Sequence, residues 1–381
     1  MRRFTIPAPL GRQYRTFLNG LLLFIMGSSI LWLVATSRFT TWDLRNNLWG
    51  PAYLLLRQQN PYDLSPLFEL GNAVWMPMSL GFFFPIGLLT EQQSSMLWLI
   101  LNIGIALLIV LIAGGTVRPR LLPFVFCVLA LFLYPPMISH LRAGQYTLLA
   151  ILLMLASVYL VTKSQYGLAA LLLALALAKP QLGILVAPGL LFHIFLRDGF
   201  KKAVWFCVLL LFWIILLTLP LFIFYPAWPS GLLTALQNNP TWVHPSLFSL
   251  FQLWFKQFGL WLWLPLFIIL FAVNLRIWQK MAPQTAVYWS LALTGCATPY
   301  VWSYDFVLQL PLFVHAVFSL QHRLSQIVLW LGFLFTWGFI YWTATHTNAD
   351  NFRYWFVPWC LLLTIGAAYI VEKRRFTHGS E

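Results

Sequence analysis

The chain has 381 residues, of which 61% are hydrophobic and 8% charged, and its mean hydropathy is +0.80. No water-soluble domain covers that much apolar surface, so the composition predicts an integral membrane protein and excludes a soluble enzyme. The net charge of +14 comes from Lys and Arg placed in short breaks between apolar runs, where they set orientation instead of forming one basic face. That pattern excludes nucleic acid as a partner.

Arg2, Arg3, Arg12 and Arg15 precede the first apolar run, 17–36, which reads as a retained signal anchor and first span. Twelve more runs follow, at 73–89, 94–114, 121–138, 146–162, 166–178, 182–196, 202–224, 259–278, 285–300, 305–320, 325–343 and 353–371. The 73–89 run carries Pro77, Gly81, Pro85 and Gly87, so it is expected to lie along the outer surface. With that run not crossing, 16 of the 23 Lys and Arg fall on the cytoplasmic side; if it crosses, 8 do. Merging 166–196 into one broken span gives 14 and stays open as an alternative. The positive-inside rule selects the first arrangement. The expected fold is therefore all-α and integral to the membrane: one domain over residues 1–381, about twelve transmembrane helices, cytoplasmic termini, and external segments 37–93 and 225–258.

The four cysteines, Cys127, Cys207, Cys296 and Cys360, all lie inside apolar runs, which argues against a disulfide framework or a zinc site. Nucleotide-phosphate signatures and a His-Glu-x-x-His motif are absent, so no cofactor and no metal is expected. No internal repeat is visible, which weighs against a transporter built from inverted repeats.

The nine acidic residues leave no carboxylate between Asp198 and Asp305. An external general base is thus restricted to Asp43, Asp63, Glu69, Glu91, Asp305 and Asp350. Asp43 sits just after the first span and Asp305 in a tight turn, Trp302-Ser303-Tyr304-Asp305; either can equally serve as a helix cap. Lys179 interrupts an apolar stretch in Ala178-Lys179-Pro180-Gln181. A lysine near the bilayer centre costs about 2.5–3.5 kcal/mol, so it either snorkels or meets an anion, for which a lipid phosphate is the natural source. Arg142, in Arg142-Ala143-Gly144-Gln145, adds a planar fork suited to phosphate oxygens, and Gly144 allows close backbone approach.

These segments together resemble the GT-C superfamily of glycosyltransferases, most closely glycosyltransferase family 87, whose members include polyprenyl-phosphate-mannose-dependent mannosyltransferases. Asp43, Tyr53 and Asn60-Pro61-Tyr62 look like the first external loop. Phe84-Pro85-Ile86-Gly87-Leu88-Leu89 resembles the juxtamembrane segment. Arg142-Ala143-Gly144-Gln145, Lys179-Pro180-Gln181 and Thr298-Pro299-Tyr300 with Tyr304-Asp305 are similar to later signatures. The resemblance implies a GT-C-like bundle with a juxtamembrane first loop. It also implies an inverting hexosyltransferase on the outer face of a bacterial plasma membrane, taking a mannose-like sugar from a polyprenyl phosphate to a lipid or glycan acceptor. In that reading Asp43 is the catalytic base and Lys179 and Arg142 bind the donor phosphate. Gln145, Gln181, Tyr304, Asp305 and His244 are expected to bind substrate. A transporter or flippase of a phosphate-bearing lipid is the competing reading, since it would use the same two cations.

Overall fold

Leu, Phe, Ile and Ala dominate the apolar runs, and every regular segment among the described residues is helical. The structure, a computed structural model, describes residues 41–69, 71, 73–115, 121–239, 243–346 and 352–378, with helical residues 20, 21 and 23–29. Most of the 17–36 run, together with Arg118, Arg120, Trp242 and Asp350, lies outside the described residues.

The first helix of the continuously described part is α1 over residues 42–55, formed by Trp42–Leu44, a π-helical turn Arg45–Trp49, and Gly50–Leu55. After a loop come α2 (Pro77–Phe83), which runs on as a 3₁₀ turn Phe84–Leu88, and α3 (Glu91–Ala113). A capping box starts α3, with the Thr90 hydroxyl accepting from Gln93 N–H and the Gln93 amide accepting from Thr90 N–H. Next are α4 (Leu121–Phe132), α5 (Pro135–Ala143), α6 (Thr147–Thr162), α7 (Tyr166–Ala176) and α8 (Val186–Asp198). The second half holds α9 (Phe200–Phe224), α10 (Trp228–Gln237), α11 (Leu247–Phe255), α12 (Gly259–Lys280), α13 (Pro283–Ala297), α14 (Leu310–Ser319), α15 (Arg323–His346) and α16 (Phe356–His378).

Two kinds of helix are present. Among the described residues five segments are long and apolar enough to cross a bilayer: α3, α9, α11 with α12, α15, and residues 352–374. A sixth is added if α4 and α5, bent by 61°, count as one. These are the lipid-facing elements, since α9, α12 and α15 leave Ile215, Ile223, Trp261, Ile268 and Leu331 exposed. The other kind is short and interior. α6, with 16 residues, is about 24 Å long and α7, with 11, about 17 Å, both less than the ~30 Å hydrocarbon core. They pair through small buried residues, Ala169, Ala170, Ala174 and Ala176, which let the backbones approach closely.

A uniform set of twelve full-length spans is therefore not what the helix lengths give. The physical reason is that hydropathy marks a buried helix and a lipid-exposed one alike. The 73–89 run forms only the short α2 and its 3₁₀ turn. The external segment 225–258, read from sequence as a loop, contains α10 and α11.

Two glycines fix how the first loop lies on the bundle. Gly87 meets the backbone of Ala52 and Tyr53, so closely that a Cβ would fall 2.6 Å from it. The Trp49 indole donates to Leu89 O at 2.9 Å beside this contact and ties α1 to the juxtamembrane turn. Gly144 ends α5 at φ 68°, a left-handed conformation that favours glycine. A Cβ there would lie 2.9 Å from Leu44 Cβ and 3.2 Å from Thr41 Cβ. The close approach expected of Gly144 is thus to the chain's own first loop: Thr41 N–H donates to Arg142 O at 2.9 Å. Thr41 itself is held at φ 40°, uncommon for a β-branched residue, and its hydroxyl lies 2.6 Å from Ser95 Oγ.

Candidate active site

Docking of Thr41–Leu44 onto the turn after α5 carries Asp43 to Gln145. The Gln145 side-chain amide donates from Nε2 to Asp43 Oδ2, and its Oε1 accepts from Lys179 Nζ at 3.1 Å. Lys179 Nζ also donates to Asp305 Oδ1 at 3.0 Å. Asp305 in turn accepts from the Thr147 hydroxyl and, through Oδ2, from Trp302 N–H at 3.2 Å. Four side chains from positions 43, 145, 179 and 305 therefore form one continuous polar chain between a carboxylate at the first loop and a carboxylate in the 3₁₀ turn before α14. Asn47, one turn along α1, adds a longer contact of 3.4 Å from Nδ2 to Asp43 Oδ1.

Each position has a local cause. Lys179 follows the end of α7, where Pro180 cannot continue an α-helix and opens the 3₁₀ turn Pro180–Gly183. Met76 N–H donates to Ala178 O at 3.0 Å and holds the loop before α2 against this break. Asp305 is the third residue of the 3₁₀ turn Ser303–Gln309, so its bond from Trp302 N–H makes it a cap and an ion-pair partner at once. Lys179 keeps 5% exposure and Asp305 none, so the lysine does not snorkel to the surface; its compensation is internal.

The chain borders a cavity of about 1260 Å³. Asp43, Lys179, Gln181 and Tyr304 line it, as do the aromatic rings of Trp42, Trp75, Tyr300 and Trp302. Asn46, Asn47, Asn60, Asn238 and Asn239 contribute carboxamides, and Asp63 and Glu69 add negative charge. Lys179 is the cationic side chain among the described lining residues, and its Nζ lies 5.3 Å from the Tyr304 ring. Tyr62 OH is buried in the wall without a protein partner among the described residues, and burial pushes that phenol well up from its ordinary value.

Four expected site residues lie off the cavity lining, and the first, Asp305, is fully buried behind Lys179. Arg142 is exposed and is not among the described residues lining the cavity; what it contributes is its carbonyl, to Thr41. Gln145 is 1% exposed and lies behind the lining, with both ends of its amide engaged. His244 is buried behind the aromatic wall, its ring 4.0 Å from that of Tyr300 and 4.8 Å from that of Trp302. Burial pushes the His244 imidazole down to about 4, against the opposing pull of the Asp305 charge, so it is neutral near pH 7.

Sequence reasoning missed Thr147 and Asn47. Asn47 had a signal, because it follows Asp43 by four residues and so shares its helix face. Thr147 had none beyond its place two residues after Gln145. Among the described residues no three His, Cys, Asp or Glu side chains converge as a metal site would require.

A helical, lipid-facing bundle with a carboxylate and an ammonium linked at one polar cavity has the build of a membrane protein with a polar binding site. The model of glycosyltransferase family 87 matches residues 75–303, more than half of the chain, and the protein belongs to that family, within the GT-C superfamily of glycosyltransferases. No curated protein and no solved structure matches the chain. The matched stretch holds Gln145 and Lys179 but ends short of Asp305 and begins after Asp43, so the case for those two carboxylates rests on the geometry.

Proposed function

We propose that the chain transfers a hexose, mannose-like, from a polyprenyl-phosphate sugar to a hydroxyl of a lipid or glycan acceptor, with inversion at the anomeric carbon. The observation that carries this reading is that Asp43 and Lys179 line the same cavity and are joined through a single side chain, Gln145. As the acceptor oxygen attacks the anomeric carbon, the Asp43 carboxylate takes its proton. The bond from that carbon to the phosphate oxygen breaks, and the electron pair stays on the phosphate. Lys179 offsets the developing charge, held in place by Asp305. Tyr62 OH, buried and without a partner among the described residues, and the asparagines of the lining supply hydrogen bonds for sugar hydroxyls; Gln181 and Tyr304 flank Lys179 on the same wall.

The placement of the reaction is supported by charge. Arg197 Nη2 donates to Val161 O and to Tyr166 OH, and Lys202 Nζ lies 5.8 Å from the Tyr166 ring, so basic residues gather at the start of α7. Lys179 stands past the other end of the same helix. With the basic end in the cytoplasm, the cavity opens outward from a bacterial plasma membrane.

The test is incubation of purified protein with polyprenyl-phosphate sugars and a membrane extract, followed by mass analysis. A product heavier than its acceptor by one hexose is expected, with release of polyprenyl phosphate. Movement of intact donor across vesicles without such a product would favour the flippase reading.

A further inference from the structure

Gln145 has both ends of its amide engaged, and its side chain is bonded to both the candidate base and the candidate phosphate-binding lysine. The orientation of its amide is fixed by chemistry. An ammonium only donates and a carboxylate only accepts, so Oε1 must face Lys179 and Nε2 must face Asp43. Its backbone is pinned as well: Gln145 N–H donates to His140 O at 3.1 Å, and the Trp98 indole donates to Gln145 O at 3.3 Å. Trp98 and Trp75 pack on Tyr146, the next residue, with ring centroids 6.2 and 5.2 Å away. The amide is therefore preorganised on a rigid part of the bundle, while Asp43 lies on the first loop, which has to be held against it.

We propose that Gln145 is a positioning residue, which orients the Asp43 carboxylate by a hydrogen bond to Oδ2 and couples it to Lys179, so that base and phosphate-binding group act as one unit. This rests on the reading of Asp43 as the base. Oδ1, on the side of the longer Asn47 contact, is the oxygen that takes the acceptor proton. A hydrogen bond donated to a carboxylate favours its charged form, so Gln145 also keeps Asp43 ionised at a partly buried position.

The charged and titratable groups around Asp43 are common to wild type and variant. Arg45 lies on its own helix, and His140 and Arg142 on α5, which packs against it. Asp63, Glu69 and Tyr62 line the same cavity, and Lys179, Tyr304 and Asp305 lie beyond Gln145. A difference between wild type and a Gln145 variant therefore isolates the amide.

The test uses the full chain in lipid nanodiscs with Gln145→Met, which keeps length and removes both bonds, and Gln145→Glu, which places a second carboxylate beside Asp43. Turnover is measured against pH, and the carboxyl stretch that disappears in Asp43→Asn is titrated by infrared difference spectroscopy. For Gln145→Met we expect kcat to fall by about 10²-fold with donor KM unchanged, the loss typical of a misplaced catalytic group. We also expect the acid limb of turnover and the infrared titration to move up together by about one pH unit. Gln145→Glu should move both further in the same direction. Should Gln145→Met fail to fold, Gln145→Glu alone carries the test. A fall in turnover with neither titration moved would reduce Gln145 to a packing role and overturn the proposal, as would unchanged turnover. The infrared titration needs no substrate, so a wild type inactive on every polyprenyl-phosphate sugar would count against the proposed reaction while the positioning role is still read.

Discussion

The molecule contains two ion pairs among its described residues, at opposite ends of the short helix α7, and they are built in opposite ways. Lys179–Asp305, 3.0 Å apart, is almost wholly buried. Arg197–Asp198, 2.8 Å apart, is 31% and 21% exposed and shares its bonds with Tyr166 and Val161 O. The more exposed pair resembles an ordinary surface pair, worth about 0–1 kcal/mol, that ties helix ends together. The buried pair requires two charges to leave water, a cost that its attraction only partly offsets, and apolar residues of similar volume would often be as stable. A pair kept under those conditions, with one member lining a cavity, points to chemistry more than to stability.

Substitutions at the two pairs should therefore differ in kind as well as size. Lys179→Met is expected to weaken use of the donor and lower turnover by about 10²–10³-fold, the loss seen when one group facing a developing oxyanion is removed. Since Asp305 keeps its bonds from Thr147 and Trp302 N–H, the variant should still fold, which size-exclusion chromatography in detergent checks. Asp305→Asn should act mainly on stability and donor binding, because it leaves Lys179 buried with its charge only partly met. About 3–5 kcal/mol of destabilisation is expected, read as a lowered denaturation midpoint.

Acid should reveal a smaller effect at the same end of the bundle. His244 has its imidazole lowered from 6.5 to about 4, so the unfolded chain binds its proton more readily than the folded one. Its contribution to stability is intact above pH 6.5 and is lost progressively as pH falls towards 4. A His244→Phe variant, which keeps a ring against Tyr300 and Trp302, should show a shallower loss of unfolding midpoint over that range. The smallest effect belongs to Arg197→Gln, with less than about 1 kcal/mol lost and turnover unchanged. A large loss of turnover there would break the contrast between the two ends.

The same contrast explains what could be read from the sequence. Lys179 stands out in the sequence because a charge within an apolar run has few cheap explanations, and Asp305 because it is one of six carboxylates left to the outer side and sits in a tight turn. Asp43 was picked out by its place after the first span. The links between them were not legible, because they join positions more than a hundred residues apart, 43 to 145 and 179 to 305, through tertiary packing. Arg142 shows the limit from the other side. Its residue type suits phosphate, but Gly144 two positions on takes up a left-handed turn that brings the first loop onto the Arg142 carbonyl and leaves the guanidinium outside the cavity. Five or six of the twelve expected spans have full-length helices among the described residues for a related reason, since α6, α7 and α13 are apolar because they are buried among other helices and not because each faces lipid.

The central claim is that Asp43 is the base and Asp305 the holder of Lys179. It is tested most directly by comparing single-turnover rates of Asp43→Asn and Asp305→Asn with donor bound at saturation. The account predicts that Asp43→Asn lowers the rate by about 10²–10⁴-fold with donor affinity nearly intact, while Asp305→Asn at saturation stays closer to wild type. Turnover that survives Asp43→Asn and collapses in Asp305→Asn would contradict it and move the base to the far end of the polar chain.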